Sequence, residues 1–129
     1  MENYTRVNLL ELEDSVAGRA EGIEGRFGRG PMGAHDVGVS HWRYAPGFRS
    51  TMGHRHREQE EAYLVIFGSG EMMLDGDVIE LGQWDLVRVA PTTVRAFAAG
   101  PDGMEIIAVG GPKPEGGDGE PGEVAWPDS

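Results

Sequence analysis

The sequence contains no cysteine, which rules out a disulfide framework, thiolate catalysis and any zinc–thiolate site. A metal centre in this chain must be built from nitrogen and oxygen donors. Cationic side chains are scarce: 11 Lys and Arg, with Lys113 the single lysine, face 22 Asp and Glu, for a formal net charge of −11. So acidic a chain repels phosphate backbones and anionic lipid, so neither nucleic acid nor a membrane surface is an expected partner. Long apolar runs are also missing, none approaching the roughly 18 residues of a membrane span. The opening Met1-Glu2-Asn3-Tyr4 lacks the basic start and apolar stretch of a signal peptide, and the expected location is the cytoplasm. No amphipathic helix of three turns can be found.

What is present is one domain's worth of chain, 129 residues with 39% hydrophobic side chains, enough to bury a single core. Glycine (21) and proline (8) are abundant, but nine of them lie between Gly110 and Gly122. The expected organisation is an N-terminal strand and glycine-rich arm over 1–36, a barrel core over 37–109, and a Gly/Pro-rich tail over 110–129. The tail cannot bury enough apolar surface to fold alone, so Trp126 is expected to anchor it. Within 37–109, apolar residues recur with the period of two that marks strands. The expected strands are 37–44, 62–67, 70–75, 77–81, 85–89, 94–98 and 104–109. Turns are expected at Asp75-Gly76, at Pro101-Asp102-Gly103 and at Gly68-Ser69-Gly70. Short antiparallel strands at intervals of about ten residues predict an all-β barrel or sandwich.

The chemistry-bearing stretch is Gly53-His54-Arg55-His56-Arg57-Glu58-Gln59-Glu60-Glu61. Two histidines separated by one residue on a strand project to the same face, about 7 Å apart by the strand rise, so both rings can converge on one ion. A carboxylate from the next strand would complete a set of two His and one carboxylate, which leaves open positions on a non-haem metal. Glu61 fits that role better than Glu58 or Glu60, because it begins an apolar strand and alternates onto the face of Tyr63 and Val65. Glu58, Glu60, Arg55 and Arg57 read as a solvated charged run. Gly25-Arg26-Phe27-Gly28-Arg29-Gly30 has no helix after it and reads as loop chemistry, not a phosphate cradle.

These residues resemble the cupin superfamily. Its first motif runs Gly, five residues, His-x-His, three or four residues, Glu, six residues, Gly; His54, His56, Glu61 and Gly68 fill its last four anchors, while Gly47 lies one place from the first, at Phe48. The resemblance implies a small single-domain cupin of the cupin-2 type. Its fold would be an antiparallel β-barrel, a jelly roll or double-stranded β-helix. It also implies a divalent metal (Fe, Mn, Ni or Zn) on His54, His56 and Glu61, with dioxygenase or isomerase chemistry as alternatives. A small-molecule ligand and a homodimer are the expected partners. The second motif, Gly, five residues, Pro-x-Gly, two residues, His, three residues, Asn, is degenerate, with Trp84, Ala90, Thr92, Arg95 and Ala99 at its anchors.

Arg95 stands where the family supplies a fourth metal ligand, and a guanidinium offers only donors. At about 5 Å and an effective dielectric near 20, it and a divalent cation repel by about 6 to 7 kcal/mol, of which a ligating carboxylate cancels roughly half. Three outcomes are open. Arg95 turns away and a three-ligand metal survives; Arg95 pairs with Glu61 and no metal binds; or Arg95 holds a small anionic substrate beside the metal. The competing reading is a non-catalytic, metal-free cupin that binds a small ligand through Arg95. His41 is either a substitute ligand or a residue packed among Val37 and Val39. Tyr63, Phe97 and Trp84 are cavity-lining or plain core.

Overall fold

The structure, a computed structural model, describes residues 3–127. It is nearly all β: strands β1 (Ile23–Phe27), β2 (Gly38–Tyr44), β3 (Met52–His56), β4 (Glu61–Leu74), β5 (Asp77–Leu81), β6 (Leu86–Val89), β7 (Arg95–Gly110) and β8 (Gly119–Glu123). One 3-10 turn (Leu9–Glu11) and one helical turn, α1 (Arg29–Met32), interrupt the arm. Every strand pairing is antiparallel. Among the described residues no helix is long and apolar enough to cross a membrane.

Two long strands curl the sheet into a barrel. The first half of β4 lies between β6 and the second half of β7; its second half lies between β5 and the first half of β7. On its other side β7 runs beside β2 from Gly110 to Met104 and meets β3 at the single pair His54↔Arg95. The expected turns at 68–70 and 101–103 are therefore corrected: both lie inside continuous strands, where the register shifts between Gly68 and Gly70. Gly68 faces Met104 and Gly70 faces Ala99, so four residues of β7 bulge opposite Ser69. The turn-forming residues still bend the chain, but ladder bonds on both sides keep the strands paired, and a bulge results in place of a hairpin. At Asp75-Gly76 the expected hairpin forms, both residues having positive φ (49° and 90°) between the paired Leu74 and Asp77.

Alternation along these strands divides the interior in two. Tyr44, Tyr63, Val65, Met72, Phe97 and Ile106 join the main core inside the barrel, whereas Met73, Ala96 and Ala98 face outward and meet Trp126. Trp126 is 5% exposed and donates its indole N–H to the Ser50 carbonyl at 2.9 Å, so its side chain fastens the tail. The tail also forms structure the composition did not predict: β8 pairs residue for residue with β3, from Met52↔Glu123 to His56↔Gly119. The arm contributes β1 as an edge strand on β2.

Candidate metal centre

Strand β3 turns His54 and His56 to one side, with ring centroids 5.2 Å apart and planes nearly perpendicular. Glu61, the first residue of β4, brings Oε1 to 3.2 Å from His56 Nε2 and 3.8 Å from His54 Nε2. One ligand atom from each of the three residues lies within 4.8 Å of the other two. His56 Nε2 is buried and has no hydrogen-bond partner; Glu61 Oε1 lies 3.2 Å from it, outside hydrogen-bond geometry. Such a lone, inward nitrogen beside a carboxylate is the donor chemistry a divalent ion requires, and the three residues fit one.

The carboxylate is tightly held. Burial pushes Glu61 up, but His54, His56 and the hydroxyl of Tyr63, which donates to Oε1, outweigh it and leave the carboxyl well below its usual range. His56 is raised, first by Glu61, against burial, and further by Asp118. Asp118 Oδ1 lies 2.8 Å from His56 Nδ1, and Oδ2 accepts the backbone N–H groups of Glu58 and Gln59, each at 2.8 Å. Those contacts overcome burial and hold Asp118 well below the usual carboxylate range. The Gln59 side chain continues the network, accepting from Arg29 at 3.0 Å, and Arg29 also donates to the Gly111 carbonyl at 2.7 Å.

A cavity of about 670 Å³ opens beside this cluster. Its lining includes His56, Gln59, Glu61 and Asp118 together with Arg29 and Lys113. Its size suits a small organic molecule.

Arg95 is fully buried and makes no ion pair among the described residues. Its guanidinium donates to the carbonyls of Pro91 (3.2 Å) and Ala90 (3.3 Å), leaving Nε without a partner. It shares the inner face of β7 with Phe97, and its charge acts on Tyr63, whose hydroxyl burial holds well above its ordinary range. Of the three arrangements open to Arg95, the ion pair with Glu61 is not the one adopted. Tyr63 and Phe97 belong to the main core, their rings 5.1 Å apart. Neither they nor Arg95 lines the cavity. His41 alternates with Trp42 and Tyr44, which pack on the core, so it faces away from the barrel interior and meets Glu105 at 2.9 Å. Trp84 is 67% exposed.

Asp118, Gln59 and Arg29 were not anticipated. Asp118 lies in a Gly/Pro-rich run with no periodic pattern, Gln59 is a single amide in a charged run, and Arg29 is one residue of a glycine-rich arm; the pairing of β8 with β3 brings Asp118 to the site, and Arg29 reaches Gln59 from α1.

The family profile described as Cupin domain matches residues 40–110. The chain belongs to the cupin family. No curated protein sequence matches it. Among solved structures, this cupin is similar to a cupin protein from Bacteroides fragilis, with 22% identity, TM-score 0.72, and 87% of this chain and 86% of that one covered. It is also similar to a sugar phosphate isomerase from Silicibacter pomeroyi (19% identity, TM-score 0.70, 85% and 77% covered). A third is a polyketide cyclase from Streptomyces resistomycificus (21% identity, TM-score 0.68, 84% and 78% covered). At these identities the likeness is one of fold. Cupin barrels host different reactions, and the function of this one must be argued from its own residues.

Proposed function

We propose that this cupin binds one divalent metal ion through His54, His56 and Glu61 and presents it to a small anionic organic molecule in the adjoining cavity. The observation that carries the reading is the convergence of three ligand atoms within 4.8 Å of one another, with the orphaned Nε2 of His56 among them. Three protein ligands leave coordination positions for substrate. When bound, the ion would act as a Lewis acid or a dioxygen site, which serves isomerase and dioxygenase chemistry alike.

The chain's own groups prepare the site. The Tyr63 hydroxyl holds Glu61 Oε1 and orients the carboxylate. Arg95, buried and bonded to two carbonyls, supplies positive charge through space, not a contact to substrate. The cationic side chains among the cavity's lining, Arg29 and Lys113, favour an acidic ligand once an ion offsets Glu61 and Asp118, in a chain that otherwise repels one. With Glu61 and Asp118 as carboxylates and Arg29 and Lys113 as cations among the cavity-lining groups, a divalent ion leaves a net positive charge there, which suits an anionic ligand. We also propose a cytoplasmic homodimer, in which edge strands such as β1 are covered by a second copy.

One observation favours a second reading, a metal-free cupin whose ligand occupies the same cavity under the field of Arg95: a full guanidinium charge stands where the family places a ligand. Metal content separates the two. Protein purified without chelator or affinity nickel should carry, or take up on incubation with Fe, Mn, Ni or Zn, about one equivalent, and lose it in His56→Ala and Glu61→Ala. Less than about a tenth of an equivalent after incubation with each metal would leave the metal-free reading standing.

A further inference from the structure

We propose that Asp118, contributed by the tail beyond the cupin-matched residues, is a positioning residue that fixes the tautomer of His56 and so aims its Nε2 lone pair at the metal position; the proposal rests on the metal reading above. An ionised carboxylate can only accept hydrogen bonds. With Oδ1 2.8 Å from Nδ1, the ring proton belongs on Nδ1, and Nε2 is left as the free donor pair. Glu61 approaches the other nitrogen at the longer distance of 3.2 Å and outside hydrogen-bond geometry, so Asp118 is the stronger claimant for the single proton of the neutral ring.

The carboxylate is itself immobilised. Oδ2 is occupied by two backbone N–H groups from the loop joining β3 to β4, and the Gln59 amide reaches Oδ1 at 3.4 Å. The side chain is 1% exposed, so water cannot replace it. Its placement depends on register: Gly119, the next residue, pairs with His56 itself. A slip of one residue in β8 would turn Asp118 to the other face of the strand. The glycine-rich tail thus completes the metal centre from outside the cupin motif. A carboxylate behind a ligating histidine raises its basicity and fixes its orientation, and losing such a partner weakens metal binding by about 10- to 100-fold.

Asp118→Asn separates this role from simple packing. The amide oxygen can still accept from Glu58 and Gln59, but the amide NH₂ facing Nδ1 makes that nitrogen an acceptor and moves the ring proton to Nε2. In metal-free protein at alkaline pH, long-range ¹⁵N–¹H NMR, with His56 assigned by its loss in His56→Gln, should show the proton on Nδ1 in the wild type and on Nε2 in the variant. Zinc titration should show affinity reduced by about 10- to 100-fold. A wild-type proton on Nε2, a variant with an unchanged tautomer, or an affinity within about twofold of wild type would overturn the proposal. If the variant does not fold, the wild-type spectrum decides alone. Should the wild type bind no zinc, the metal reading fails by that measurement, while the tautomer assignment still stands or falls on the spectrum.

Discussion

Gly68 closes the first cupin motif, and the structure gives a reason for glycine there that Gly68→Ala tests. Its φ is 75°, in the left-handed region, and a Cβ built on it would sit 2.1 Å from the Gly103 carbonyl oxygen, 3.0 Å from the carbonyl carbon and 3.2 Å from Met104 Cα. All three are backbone atoms, so no rotamer change relieves the overlap. The left-handed conformation costs a residue with a Cβ about 1 to 2 kcal/mol. Forcing apart the bulge between β4 and β7 adds about 1 to 3 kcal/mol, as overpacking does elsewhere. A total of about 2 to 5 kcal/mol corresponds to a fall in Tm of about 7 to 18 °C for a domain of this size. Gly76→Ala is the control: φ is 90° but nothing lies within 4 Å of the new Cβ, so only the conformational cost of about 1 to 2 kcal/mol applies. Thermal unfolding of both variants, followed by circular dichroism, checks the difference. Equal losses would refute the clash argument and leave backbone conformation as the whole reason for the motif glycine.

Three further outcomes follow from named contacts. Trp126→Ala removes the indole from the pocket of Met73, Ala96 and Ala98 and its bond to Ser50; it should cost about 3 to 5 kcal/mol, read by chemical denaturation, and speed limited proteolysis of the tail. Arg95→Met removes a buried charge near the proposed ion and should tighten zinc binding by tenfold or more, on the order of 1.4 kcal/mol; unchanged affinity would mean the guanidinium does not act on the metal position. Gln59→Ala breaks the link between Arg29 and Asp118 and should cost about 1 to 3 kcal/mol by leaving buried groups unpaired, measured as a lowered denaturation midpoint with an unchanged m-value.

The strand pattern and the first motif were legible because each rests on local periodicity. His54 and His56 share a face by alternation alone, and Glu61 joins them because a strand starting at that position must pair in the register its own apolar residues dictate. The Asp-Gly hairpin depended on two adjacent φ values and nothing distant. Long-range pairing decided the rest. Gly68-Ser69-Gly70 and Pro101-Asp102-Gly103 each have turn composition, yet they sit opposite one another on two long strands, and the ladder on either side of them turns two expected turns into one bulge. Asp118 was invisible for the same reason. In its own segment it is one acidic residue among glycines and prolines; only the pairing of Gly119 with His56 makes it a neighbour of the histidine.

Arg95 shows how two departures from the family pattern belong together. The second motif should place Pro-x-Gly five residues before its histidine, and here that stretch reads Ala90-Pro91-Thr92. The guanidinium of Arg95 donates to the carbonyls of Ala90 and Pro91, so the side chain that replaces the ligand also braces the turn that replaces Pro-x-Gly, which the Thr93 N–H closes on the Ala90 carbonyl at 3.2 Å. A histidine is too short and has too few donors to make both bonds from the same position. Arg95→His alone would therefore gain a nitrogen ligand while leaving the Pro91 carbonyl with only the His56 N–H (2.8 Å) and the Ala90 carbonyl with only the Thr93 N–H (3.2 Å), at about 1.5 to 3 kcal/mol for each charge-assisted bond lost. The loss of the fourth ligand is then a property of the whole 90–95 segment. Restoring it cleanly requires the turn to change with it, and the triple replacement Ala90→Pro, Thr92→Gly and Arg95→His should gain metal affinity with less loss of stability than Arg95→His alone.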